Sequence, residues 1–386
     1  MSASAWSGDS KLLDMPEHIA KQHAPVLPPP VTLSGSQLPA PGPVAIVATD
    51  TPLGKGALAL FKSTLEGIPG IQLQYGAEQV SDKTRAIIWL DSSAANIGTL
   101  EQLLEAHKDI GFVQMPMAGI NAYSPLVKKF KDRIWTSAKG AFAQPVAEHA
   151  FTLVLALLRY LPMRVRARAW GPNQGLSFYN RKVLILGAGG ITLSLLTQIA
   201  PFHPSVTILR RKAEPLAPEN IPAGMEGRID VATLASLESH LPQVDVVVVA
   251  CALTSETRGC LGYDQFKKLP RHALVVNVAR GEVLQQDGLV KALQEGLIAG
   301  AGIDVTEPEP LPESSPLWGC KSTHPSIQTE DKFGGAGLAN LIITPHCADT
   351  FEMVAPLLAV RFKQNVEALL SQNGRFEGIV DGEAGY

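Results

Sequence analysis

A chain of 386 residues with 46% apolar and 18% charged side chains is long enough for two domains with real cores and has an ordinary globular balance. The formal net charge of −3 gives no basis for expecting nucleic acid or an anionic membrane as partner. The four cysteines, Cys251, Cys260, Cys320 and Cys347, lack C-x-x-C spacing, so no metal site is expected and a reducing compartment fits.

The first 24 residues have no apolar signal core, and Asp9, Asp14 and Glu17 do not suit a transit peptide. The longest apolar run, residues 150–158, is too short to span a bilayer. A cytoplasmic location is expected. Residues 1–43 lack apolar periodicity, and Pro25, Pro28, Pro29, Pro30, Pro39, Pro41 and Pro43 predict a loose, extended arm in which His18 and His23 are solvated.

From residue 44 the pattern becomes regular. Strands are expected at 44–49, 71–75, 85–90 and 110–115, with helices at 54–65 and 97–107. This alternation predicts a parallel sheet covered by helices, with ligands beyond the carboxyl ends of its strands. Two such ends, Asp91-Ser92-Ser93 and Met117-Ala118-Gly119-Ile120, read as anion-binding backbone or as ordinary turns. Residues 145–161 predict a helix with Pro145 at its first position, apolar nearly all round and so buried on more than one side. Arg164, Arg166, Arg168 and Trp170 after it read as an interface arm or a solvated helix end.

A second run of strands is expected at 183–186, 206–209, 244–250, 273–278, 299–305 and 341–344, with helices near 191–200, 263–268 and 286–295. The first strand leads into Gly187-Ala188-Gly189-Gly190-Ile191-Thr192. Gly187 and Gly189 suit a tight turn against a pyrophosphate, and the N–H groups of Gly190 and Ile191 would face it at a helix start. Thr192 stands where the dinucleotide fingerprint has a third glycine, so an ordinary strand-to-helix turn is the competing reading. The next strand ends in Leu209-Arg210-Arg211-Lys212, with no acid to meet a ribose 2′-hydroxyl. Arg210 and Arg211 suit a 2′-phosphate, and hence NADP over NAD, or form a solvated basic turn. Residues 319–340 read as a lid or a floppy insertion.

Three later segments each place a polar group at a strand end: Asn277-Val278-Ala279-Arg280-Gly281, Gly302-Ile303-Asp304 through Pro308-Glu309-Pro310, and Thr344-Pro345-His346. Taken singly, Arg280 could be a surface charge, Glu307 rivals Glu309, and His346 could cap a strand. In order and spacing, together with Met117-Ala118-Gly119-Ile120, Gln144-Pro145-Val146-Ala147-Glu148-His149 and Thr254-Ser255-Glu256-Thr257-Arg258-Gly259, they are specific. Over residues 44–386 the chain resembles the D-isomer-specific 2-hydroxyacid dehydrogenases, the group that includes glyoxylate/hydroxypyruvate reductases and phosphoglycerate dehydrogenases.

The resemblance implies two Rossmann- or flavodoxin-like α/β domains with a cleft between them: a substrate domain from 44–120 and 346–386, and a dinucleotide domain over 121–345. It implies Arg280 as the arginine that forks onto a 2-oxo acid, His346 as general acid, and Glu309 as the carboxylate that holds the imidazole. It places Asp304 beside the nicotinamide, Ala279 among the cofactor-binding residues, and the backbone of Ala118, Gly119 and Ile120 on the substrate carboxylate. A homodimer through residues 145–170 is implied too. His149, inside a helix, is expected to be structural. The rival from another class is a dinucleotide-binding regulatory protein resembling the family's corepressors. A formate dehydrogenase is disfavoured, because that branch pairs its histidine with glutamine and this chain has Glu309.

Overall fold

The computed structural model describes residues 31–48, 52–91 and 96–381, which fold into two compact units. The first holds the chain up to Gln144 and from Asp349 onward; the second is Pro145–Ala348. Ser92, Ser93, His18 and His23 lie outside the described residues.

In the first unit a short strand β1 (Val31–Thr32) precedes five parallel strands: β2 (Val44–Val47), β3 (Leu73–Tyr75), β4 (Ala86–Trp89), β5 (Phe112–Gln114) and β6 (Ile134–Thr136). Their order in the sheet is β3-β2-β4-β5-β6, the flavodoxin-like arrangement. Alternate side chains serve two cores. Val44, Ile46, Ala86 and Ile88 pack with Phe61, Leu65 and Phe362, the last from the long helix Phe351–Ser371. Ala45, Val47, Ile87 and Trp89 pack with Leu100 and Leu104 of helix Ile97–Ala106. Burial on both faces is why these strands read as continuous apolar runs.

Two expectations change here. Residues 31–43 are tied down: β1 pairs antiparallel with Arg375–Phe376, Leu33 N–H donates to Gly374 O at 2.8 Å, and the Gln372 amide donates to Pro39 O at 3.0 Å. The first boundary falls at 144 and not at 120, because β6 completes the first sheet. Three residues after Lys131-Asp132-Arg133 are too few to show a period of two.

The second unit has seven parallel strands: β7 (Lys182–Leu186), β8 (Ser205–Arg210), β9 (Ile229–Thr233), β10 (Val246–Val249), β11 (Leu274–Asn277), β12 (Gly300–Ile303) and β13 (Leu341–Ile343). The order β13-β12-β11-β10-β7-β8-β9 reverses between β7 and β10, the switch point at which Rossmann sheets bind ligands. Leu186, Leu209, Val249, Asn277, Ile303 and Ile343 stand in one paired row across six strands. Whatever follows those residues emerges from one edge.

Helix Ala143–Leu158 packs over β12; a Cβ on Gly302 would lie 3.0 Å from that of Leu153. The helix begins two residues earlier than expected, so Pro145 takes its third position, where an N–H would still lack an intrahelical partner. Residues 319–340 are bound down along residues 163–174. Arg168 N–H donates to Lys332 O at 2.8 Å, Arg166 Nε to Gly334 O at 3.1 Å and the Gln174 amide to Ser326 O at 3.3 Å, while Arg168 pairs with Asp331. A Cβ at Gly334 would overlap Met163 O. This segment is a brace on the arm, in place of the lid or loose insertion expected. Among the described residues no helix is long and apolar enough to cross a membrane.

Candidate active site

β7 ends at Leu186 and the chain turns at Gly187, where φ is +104°. A Cβ there would lie 2.5 Å from Ala250 O and 2.8 Å from Cys251 Cα, so the turn demands glycine. Gly189 is extended, caps helix Gly190–Ile199, and has open space on its Cβ side. Gly190 and Ile191 occupy the first turn, whose N–H groups have no helical partner and carry the positive end of the dipole. A cradle that excludes a side chain at Gly187 and opens at Gly189 fits a pyrophosphate.

Thr192 is fully buried, and its hydroxyl donates to Gly187 O at 2.9 Å. The departure from a third glycine thus closes the turn through a side chain instead of loosening it. Thr192→Val, which keeps the shape and removes the hydroxyl, is expected to cost about 1–2 kcal/mol in urea denaturation. An unchanged midpoint would show the bond to be idle.

Arg210 ends β8 and its guanidinium donates to Glu214 O at 3.3 Å. Arg211 is exposed and lines a depression of about 520 Å³ with Thr233, Leu234, Glu238, Glu256 and Cys260. The depression therefore carries both signs of charge. Burial pushes the nearby Cys251 thiol up to about 12, which makes it a packing group and not a nucleophile.

The loop after β11 is shaped by Asn277, which is fully buried. Its amide donates to Arg280 O at 2.9 Å and its oxygen accepts Ala279 N–H at 3.0 Å. That Asx turn presents the half-buried Arg280. A Cβ on Gly281 would overlap the Thr306 carbonyl, so the Arg280 turn lies flush against the segment leading to Glu309.

His346 Nδ1 lies 2.9 Å from Glu309 Oε2, and Thr306 N–H donates to Glu309 Oε1 at 2.9 Å. Glu309, and not its rival Glu307, is the partner. Burial raises the Glu309 pKa, but the His346 hydrogen bond and charge and the Thr306 N–H outweigh it and hold it below the usual carboxylate range. An ionised Glu309 assigns the Nδ1 proton to His346 as donor and leaves Nε2 for other work. His346 itself has φ +51°, an uncommon conformation for a non-glycine residue that costs about 1 kcal/mol or more. Its N–H is shared between Asp304 O at 2.8 Å and Thr344 O at 3.0 Å.

The Asp304 side chain is 1% exposed. Oδ1 accepts the Thr344 hydroxyl at 2.6 Å and Cys347 N–H at 3.0 Å; Oδ2 accepts Ala348 N–H at 3.1 Å. Burial would raise its pKa, yet His149, Thr344 and the Cys347 N–H bring it below the ordinary aspartate value. His149 Nε2 stands 3.0 Å from Thr344 Oγ1 and 3.4 Å from Asp304 Oδ1. The sequence predicts a structural role for His149, and its partners are these two side chains. Ala118, Gly119 and Ile120 belong to the first unit, where the Ile120 side chain is buried in the core and the backbone is what can meet a ligand.

A family model described as "D-isomer specific 2-hydroxyacid dehydrogenase, NAD binding domain" matches residues 151–348. The chain is 32% identical to an uncharacterised protein of Corynebacterium melassecola over 85% of this chain and 97% of that one. It is 30% identical to the glyoxylate reductase/hydroxypyruvate reductase of Homo sapiens over 75% of this chain and 76% of that one. A solved D-isomer specific 2-hydroxyacid dehydrogenase from Xanthobacter autotrophicus Py2, in complex with NADPH and MES, shares the fold with a TM-score of 0.68 at 24% identity, covering 90% of this chain and 100% of that one. The NADPH-dependent glyoxylate/hydroxypyruvate reductase of Sinorhizobium meliloti, in complex with NADP and sulfate, gives 0.67 at 20% identity, covering 89% and 100%. With the family model over half of the chain and a glyoxylate reductase/hydroxypyruvate reductase aligned over three quarters of its length, this chain belongs to the D-isomer specific 2-hydroxyacid dehydrogenase family.

Proposed function

We propose that this chain reduces a small 2-oxo acid, of the glyoxylate or hydroxypyruvate type, to the D-2-hydroxy acid, with NADPH preferred over NADH. The observation that carries the reading is the Glu309–His346 pair on the strand edge that also bears the glycine turn and Arg280. Gly187, Gly189, Gly190 and Ile191 would hold a pyrophosphate, Arg210 and Arg211 a 2′-phosphate, Ala279 would contribute to the cofactor site, and Asp304 would stand beside a nicotinamide. The dinucleotide, when bound, supplies the hydride. Arg280 forks onto the carboxylate and keto oxygen of the substrate. His346 delivers a proton from Nε2 to the carbonyl oxygen as that oxygen gains charge, and takes it back in the oxidative direction. Glu309 orients the ring and stabilises its cation. A cytoplasmic homodimer completes the proposal; exposed Val165 and Trp170 beyond the helix Ala143–Leu158 support the dimer.

The test mixes purified protein with NADPH or NADH and a panel of 2-oxo acids and follows nicotinamide absorbance. Turnover of glyoxylate or hydroxypyruvate, faster with NADPH, is expected. Dinucleotide binding without turnover of any acid would overturn the enzyme reading in favour of a regulatory dinucleotide-binding protein. Faster turnover with NADH would remove Arg210 and Arg211 from their role.

A further inference from the structure

We propose that His149 is a positioning residue for this reaction: through Thr344 and Asp304 it holds the backbone that carries His346. The proposal rests on the reading of His346 as proton donor. Helix Ala143–Leu158 crosses β12 with Leu153 against Gly302. One turn toward the N-terminus the helix presents His149, and two residues along the strand direction, on the same face, comes Asp304. There His149 Nε2 meets Thr344 Oγ1 at 3.0 Å and Asp304 Oδ1 at 3.4 Å.

Counting protons orders the cluster. Asp304 is an acceptor through both oxygens, and Thr344 has one proton, which it spends on Asp304 at 2.6 Å. Thr344 Oγ1 therefore faces His149 with a lone pair, so His149 Nε2 carries a proton and donates it into the pair. The chain of donation runs from His149 to Thr344 to Asp304. Asp304 then takes the N–H groups of Cys347 and Ala348 on its carboxylate and that of His346 on its carbonyl. One residue thus grips three consecutive amides, the first belonging to a histidine in a left-handed conformation that relaxes once the grip loosens. His149 touches neither Glu309 nor the glycine turn in this network, so its loss should act mainly on the proton-transfer step and leave the glycine turn in place.

The test compares His149→Leu, which removes the donor, with His149→Gln, which keeps an N–H at similar reach. His149→Leu is expected to lower kcat by about 10- to 100-fold, the cost of a misplaced reacting group, with KM for NADPH rising by far less than kcat falls. His149→Gln should recover most of the loss. Amide hydrogen exchange at residues 346–348 should be faster in His149→Leu than in wild type or His149→Gln. If His149→Leu does not fold, Thr344→Val breaks the same relay and carries the same expectations. Unchanged kcat, or a glutamine variant as poor as the leucine one, would overturn the proposal. Should wild type turn over no 2-oxo acid, the functional reading fails by itself, and exchange at Cys347 and Ala348 still decides: equal exchange in all variants would overturn the positioning role.

Discussion

His346→Ala is expected to lower kcat for reduction of the preferred 2-oxo acid by roughly 10²–10⁴-fold, the range that general acid catalysis supplies. The carbonyl oxygen gains a full charge as it is reduced, and a proton must meet it. Arg280 is the other cation on that strand edge assigned to the substrate, but a guanidinium keeps its protons at any working pH and can offer hydrogen bonds alone. Glu309 has its pKa held down and so is ionised at neutral pH, with no proton to lend. The substitution should leave NADPH binding in place, because the glycine turn lies at the end of another strand, β7. Steady-state kinetics over the substrate panel, beside a fluorescence titration with NADPH, separates the two effects. A wild-type rate in His346→Ala would remove the residue from the acid role.

Gly187→Ala is expected to destabilise the protein by roughly 2–5 kcal/mol, adding an unfavourable positive φ to a collision with backbone. The added Cβ would sit 2.5 Å from Ala250 O and 2.8 Å from Cys251 Cα, and both belong to the chain leaving β10, which cannot give as a side-chain tip can. To relieve the clash the turn must retreat and take the first N–H groups of helix Gly190–Ile199 with it. NADPH affinity should fall by more than about 10-fold, the equivalent of about 1.4 kcal/mol. Urea denaturation and the NADPH titration measure the two losses. A variant with wild-type midpoint and affinity would refute this account of the turn.

What the sequence shows depends on how local the physics is. The strands at 183–186 and 246–249 are legible because both faces of a parallel sheet are buried, which writes an unbroken apolar run. β9 is missed because it is an edge strand in which Asp230 and Thr233 break that run. β6 is missed because its three residues directly follow the charged run Lys131-Asp132-Arg133. The pairing of Glu309 with His346 is expected from motif order, and the two side chains stand 2.9 Å apart. The contact of His149 with Thr344 joins residues 195 positions apart, and nothing near either one announces it. Thr192 shows the opposite failure: a rule that expects glycine for packing does not foresee a hydroxyl that bonds the turn five residues behind it.

The cluster around Asp304 also bears on how such a chain is assembled. The second unit begins at Pro145, one helical turn before His149, and ends at Ala348, whose N–H rests on Asp304. Entry and exit therefore meet at a single carboxylate, with the first unit continuing on either side of the pair. Such adjoining ends are the topology of an inserted domain, which can be gained or removed without tearing its host sheet. Residues 145–348 are in this sense a self-contained cassette, and the residue that holds the backbone of His346 is also the clasp that closes it.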